Sequence, residues 1–189
     1  MNQRTSILVI SSLWLLFSGI VHAEPEVKLK TSYYAVQGES ARALRASMNT
    51  ARPKGMAHDA YTKWHVSWSY TWQQVNGNYA LQSSKVSAAI SVTLPQWAPP
   101  KDADKRLVER WQRYITALHR HENGHAVIST QAAREIEKKL QTLPAAPSTE
   151  ALKDLIERTC QQVLTEARDK EKNFDETTNH GIKEGAQFP

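Results

Sequence analysis

From Lys63 to Gln73 the chain alternates without interruption, and nothing else in the sequence restricts its fold as strongly. In KWHVSWSYTWQQV, Trp64, Val66, Trp68, Tyr70 and Trp72 fall at every second position, with His65, Ser67, Ser69, Thr71 and Gln73 between them. Successive side chains of a strand point to opposite faces, so this stretch spells a strand with one bulky apolar face and one small polar face. Asn76-Gly77-Asn78 comes next, with the residues a tight hairpin turn demands. The return run to Leu94 then places Val86, Ala88, Ile90, Val92 and Leu94 on one face. A hairpin over 63–94 is predicted, with its aromatic stripe in the core; a ligand-stacking platform is the lesser reading.

The flanking segments are helical or irregular. TSYYAVQG (31–38) reads as a short strand, and ESARALRASMNT (39–50) as a helix with Ser40 as a possible cap. ARPKGMAHD (51–59) and the Pro-rich QWAPPKDAD (96–104) read as breaks, with Asp102 or Asp104 able to cap the next helix. From there to Leu143 the pattern is helical. One straight helix of that length would reach about 60 Å at ~1.5 Å per residue. A compact domain of this size is only about 40 Å across, so a bend, break or overhang is expected near Gly124 or Ser129–Thr130. A further helix is predicted over 148–172, and NFDETTNHGIKEGAQFP reads as a loop. The fold class is α+β, with a small antiparallel sheet built on hairpin 63–94 and long C-terminal helices.

The N-terminus has a different purpose. Arg4, an apolar run from Ile7 to Val21 and the ending Val21-His22-Ala23 have the layout of a secretory signal peptide cleaved after Ala23. The run is interrupted by Ser11, Ser12, Ser18 and Gly19, and falls short of the roughly 20 apolar residues that a spanning helix needs. Residues 24–189 are thus expected to form one exported domain, periplasmic or secreted. The formal net charge of +5 falls by one when Arg4 leaves with the leader, and charges of both signs are interspersed. That pattern does not predict nucleic-acid binding. Cys160 is the only cysteine, so the fold cannot rest on an internal disulfide, and its helical setting predicts a buried thiol.

Within the long helical pattern lies RHENGHA (120–126). Its His-Glu-x-x-His spacing puts His121 and His125 one turn apart on one helical face, where two imidazoles can bind one zinc ion. Glu122 then flanks the metal without ligating it, as a general base and acid for an activated water needs to. Gly124 is costly in mid-helix, by about 1 kcal/mol relative to Ala, a cost that either reflects another backbone passing close by or is merely tolerated. A catalytic zinc needs a third protein ligand. Ile128 and Gln131 stand where the metzincin continuation would need glycine and histidine, which excludes that class. Glu150, Glu157 and Glu166 of the last helix are candidates, as is His180, which precedes the flexible Gly181.

Five segments, SYYAVQGES, DAYTKWHVSWSYTW, ISVTLPQW, HENGHA and FDETTNHGIKEGAQFP, together resemble the bacterial DUF922 family, described as predicted secreted zinc-dependent proteases. The resemblance implies a zincin-like domain with His121 and His125 as ligands and Glu122 as catalytic acid/base. It favours His180 as the third ligand. Many members carry a cysteine pair, one before the second hairpin strand and one at the start of the last helix; Leu81 and Ser148 occupy those regions here, so that bridge is absent. The function expected is a zinc metallopeptidase acting on peptide or protein in the cell envelope. Two other readings stay open, a zinc amidase acting on cell-wall peptide or acylated sugar and a non-enzymatic envelope module with a structural zinc. Tyr33, Tyr34, Tyr61, His58 and His65 are all candidates for stabilising the oxyanion.

Overall fold

A computed structural model describes residues 24–189; the leader, with its expected cleavage site after Ala23, lies outside the described residues. Strand β1 (Glu26–Val36) is followed by helix α1 (Ala41–Ala51), strands β2 (Tyr61–Val75) and β3 (Asn78–Trp97), helices α2 (Lys105–Gln141) and α3 (Thr149–Thr178), and a final 3-10 turn, Ile182–Glu184. Among these elements no helix is long and apolar enough to cross a membrane.

The predicted hairpin forms. Asn76 and Gly77 both take positive φ, as a two-residue turn matching strand twist requires. The register sets Trp64 opposite Ile90, Val66 opposite Ala88 and Trp68 opposite Val86. Val86, Ala88, Ile90, Val92 and Leu94 are all buried, as their alternation predicts. The aromatic stripe is covered only in part. Val66 is buried, Trp64, Trp68 and Tyr70 are half-buried, and Trp72 is exposed beyond a register slip at Thr71/Trp72. The helices cover the base of the hairpin and leave its tip, where Trp72 packs edge-on against Tyr79 at 5.3 Å.

The sheet is mixed, not antiparallel as expected. Its strand order is β1-β3-β2, and β1 runs parallel to β3. A parallel pair needs a crossover, which α1 and β2 together supply. β1 also begins earlier than its aromatic segment suggests, because the lysine-rich Glu26–Lys30 continues the ladder.

Helix α2 neither breaks nor bends out of its helical assignment, although its 37 residues span about 55 Å at ~1.5 Å each. It accommodates that length by serving two hydrophobic clusters. Leu107, Trp111, Tyr114 and Leu118 join Leu44, Met48, Leu94, Trp97 and Phe188 in one. Ala133, Ile136 and Leu140 join Val66, Val86, Ile156, Cys160 and Val163 in the other. His121 and Glu122, both buried, fall between the two. Asp104 caps α2, accepting from the Leu107 N–H at 3.0 Å, and Ser40 and Ser148 cap α1 and α3 in the same way. A two-hydrogen-bond bridge between Tyr79 and Ala146 ties the hairpin to the α2–α3 connection. Cys160 is buried, and burial pushes its thiol up to about 12.

Helix α3 runs to Thr178, six residues past the predicted end at 172, so NFDETT is helical and not loop. It stops in a left-handed turn. Asn179, His180 and Gly181 all have positive φ and swing the chain back across α2.

Candidate metal centre

The seam between the two clusters opens as a cleft of about 480 Å3 lined by His121, Glu122, His125, Asp175, His180 and Thr62, among others. On α2, four-residue spacing directs His121 and His125 the same way. From the last turn of α3, Asp175 comes to meet them. Its Oδ1 lies 3.2 Å from Nε2 of His121 and 3.2 Å from Nε2 of His125. These three residues offer ligand atoms all within 4.8 Å of one another, a spacing that a single metal ion could bridge.

The opposite ring nitrogens are also held. Nδ1 of His121 lies 3.0 Å from Glu184 Oε2, and Nδ1 of His125 lies 3.3 Å from Glu171 Oε1. Each imidazole therefore meets a carboxylate oxygen at both nitrogens. A neutral imidazole carries one N–H, so it can donate to only one of them. With Nδ1–H donating to Glu184 and Glu171, the two Nε2 lone pairs would face the Asp175 oxygen, an arrangement that either a bound cation or protonation of the imidazoles satisfies. Borderline-soft nitrogen donors with one carboxylate suit zinc, and carboxylate partners on the far ring nitrogens are the usual way ligating histidines are oriented. The donor set fits the metal. Burial lowers the basicity of His125, but the Glu171 bond and the Asp175, Glu122 and Glu171 charges outweigh it and leave its pKa raised.

Phe174 packs between these parts. Its ring stacks on His121 at 4.9 Å and meets His125 edge-on at 5.2 Å. Gly124 faces that ring, and a Cβ there would lie 2.6 Å from Phe174 Cε1, which accounts for glycine in mid-helix. Gly181 has the same relation to His121, where an added Cβ would come 2.8 Å from Cγ.

Glu122 shares the cleft with the two imidazoles and also reaches strand β2. Its Oε2 accepts from Thr62 Oγ1 at 2.6 Å. Burial raises its pKa, while the Thr62 bond and the two histidines oppose that shift.

His180 is adjacent to this cluster but outside it. Its Nδ1 is 3.5 Å from Asp175 Oδ1, and its ring, half exposed, stacks on His58 at 4.3 Å. Glu157 and Glu166 bond Gln161 and Gln162 on the exposed face of α3, and Glu150 sits in that helix's first turn, so none of them reaches the cleft. Of the oxyanion candidates, His58 and Tyr61 line the cleft. Tyr34 is engaged elsewhere, donating to the Asp59 carbonyl at 2.7 Å. Tyr33 lies near His119, and His65 lines a separate groove along β2, both outside the cleft. Asp175, Glu171, Glu184, Phe174 and Thr62 are site residues that the sequence did not single out. The available signal was the spacing of Glu171, Asp175 and Thr178, which continues one helical face beyond residue 172.

No curated protein and no solved structure matches the chain. Over residues 31–181, which include both histidines, Glu122 and Asp175, the sequence matches the family described as bacterial protein of unknown function, DUF922, and the chain belongs to that family.

Proposed function

We propose that the protein is an exported, zinc-dependent peptidase of zincin-like design, with His121, His125 and Asp175 as zinc ligands and Glu122 as the proton carrier. Asp175 takes the third place, for which the family resemblance favoured His180, because its oxygen stands 3.2 Å from both Nε2 atoms, while half-exposed His180 meets that same oxygen at 3.5 Å. The observation that carries the reading is the convergence of two imidazoles and a carboxylate beside a buried glutamate in one open cleft.

Zinc bound there would supply Lewis acidity, polarising a substrate carbonyl and acidifying a water. Glu122 does the rest of the proton work. Its carboxylate takes a proton from the attacking water and delivers it to the leaving amine as the C–N bond breaks. A raised pKa suits both halves of that exchange, since the group must accept a proton near neutrality and release it again. The Thr62 hydroxyl holds one carboxylate oxygen, so the other is available for the transfer.

The test uses the mature protein beginning at Glu24, assayed on a peptide library and on muropeptides, with and without chelator. Chelator-sensitive cleavage of peptides supports the proposal. Cleavage confined to muropeptides or acylated sugars would replace it with the amidase reading, and zinc binding without turnover would leave a structural site.

A further inference from the structure

We propose that residues 181–189 form a strap that holds Glu184 against His121, and that Arg45, in the wall of the same cleft, clamps the C-terminal end of this strap. The inference rests on the zinc reading above and assigns Glu184 and Arg45 as positioning residues within it.

The strap is fixed at both ends. At its start, the left-handed turn at Asn179, His180 and Gly181 lays the Gly181 backbone directly on the His121 ring, with no room for a side chain. At its end, Phe188 is buried against Trp111 and Tyr114, at 5.3 and 5.1 Å between ring centroids. Arg45 closes that end. Its Nε donates to the Pro189 carbonyl at 2.8 Å, its Nη2 donates to the Phe188 carbonyl, and its Nη1 donates to both Asp59 carboxylate oxygens, at 2.7 and 2.9 Å. A planar guanidinium can make these bonds at once, and a lysine cannot. Tyr114 adds a further bond to Asp59 Oδ2 at 2.8 Å, so the clamp is anchored in α2 itself.

Between the anchors, the 3-10 turn buries little. Ile182 is 42% exposed and Lys183 is exposed. Ala186 alone is buried between the anchors, joining the core beside Ala117 and Leu118, so the turn is held by burial only through one methyl group. What it delivers is the Glu184 carboxylate, 3.0 Å from His121 Nδ1. An acceptor there fixes the N–H on Nδ1 and leaves the Nε2 lone pair aimed at the shared Asp175 oxygen. The path runs from Arg45 through the Phe188 and Pro189 carbonyls to the turn, and from Glu184 to the ligand.

The experiment measures zinc affinity by competition with a chromophoric chelator and reads the His121 ring by nitrogen-15 NMR in the metal-free protein. Glu184→Ala should weaken zinc binding about 10–100-fold and remove the Nδ1–H signature of His121. Glu184→Gln, whose amide oxygen still accepts, should restore part of both. Arg45→Lys should weaken zinc binding in the otherwise native chain and add nothing in the Glu184→Ala background, because its effect passes through Glu184. Unchanged zinc affinity in Glu184→Ala and Glu184→Gln, with native zinc binding intact, would overturn the strap alone. Additive losses from Arg45 and Glu184 would overturn the clamp. A native protein that takes up no zinc would instead overturn the metal reading, and the His121 signature would still report whether Glu184 orients the ring.

Discussion

Glu122 is a carboxylate kept out of water, and its surroundings set what it can do. Burial raises its pKa and the Thr62 hydroxyl works in the opposite direction. The base form is lost as pH falls through the folded pKa, which sets the acid limb of kcat/KM; burial pushes that limb up and the charge of a bound zinc ion would pull it down. Thr62→Val removes a bond that lowers the pKa and should move that limb to higher pH than in wild type; a limb that stays put would separate Thr62 from the proton transfer. Glu122→Gln should abolish hydrolysis and retain zinc, measured by turnover and metal content on the same sample. Wild-type turnover in that variant would end the assigned role. His121, Glu122 and His125 could be named from the sequence as candidates because two residue types at fixed helical spacing mark them, and the structure brings all three to one cleft. Thr62 was not, because a small polar residue just before an aromatic stripe gives no sign of the helix residue it will meet.

Among the elements, α3 was the least legible and matters most to the cleft. Its apolar stripe, Leu152, Ile156, Cys160, Val163 and Ala167, continues in phase through Glu171, Phe174 and Thr178. Past Ala167 the stripe no longer packs on an apolar core and faces His121 and His125 instead. Loss of the apolar signal just before Asn-His-Gly gives those turns the look of a loop and hides Asp175. The hairpin was legible because period-two alternation and an Asn-Gly turn agree over its whole length. The parallel pairing of β1 was not, since strand direction depends on the crossover and not on local pattern. Gly124 marks where the Phe174 ring of α3 lies against α2. Gly124→Ala would gain about 1 kcal/mol in helix propensity, yet overpacking at such contacts costs about 1–3 kcal/mol. The Phe174 ring can yield only by disturbing the two histidines it touches. We expect a lower midpoint in denaturant together with weaker zinc binding. A variant more stable than wild type with unchanged zinc affinity would show that the close approach is not required.

Across the whole molecule, α2 ties two hydrophobic clusters together, and the candidate metal centre stands at their seam. A zinc ion held by α2 and α3 would add a cross-link there that the apolar cores do not provide. Binding to the folded state alone stabilises by about 4 kcal/mol when free zinc is about a thousand times its Kd. Added zinc should therefore raise Tm in wild type and fail to do so in Asp175→Ala, while His180→Ala should keep most of the shift. If His180→Ala loses the shift and Asp175→Ala keeps it, the ligand set is completed from the turn after α3 and not from the helix.

The central claim is that this cleft is a zinc-dependent hydrolytic site, and metal content paired with turnover tests it most directly. Mature protein should carry one zinc per chain, lose peptide cleavage on chelation and recover it when zinc is returned, with Asp175→Ala failing at every step. Protein that cleaves peptides equally well after complete removal of its metal, or that never binds zinc at all, would contradict the account.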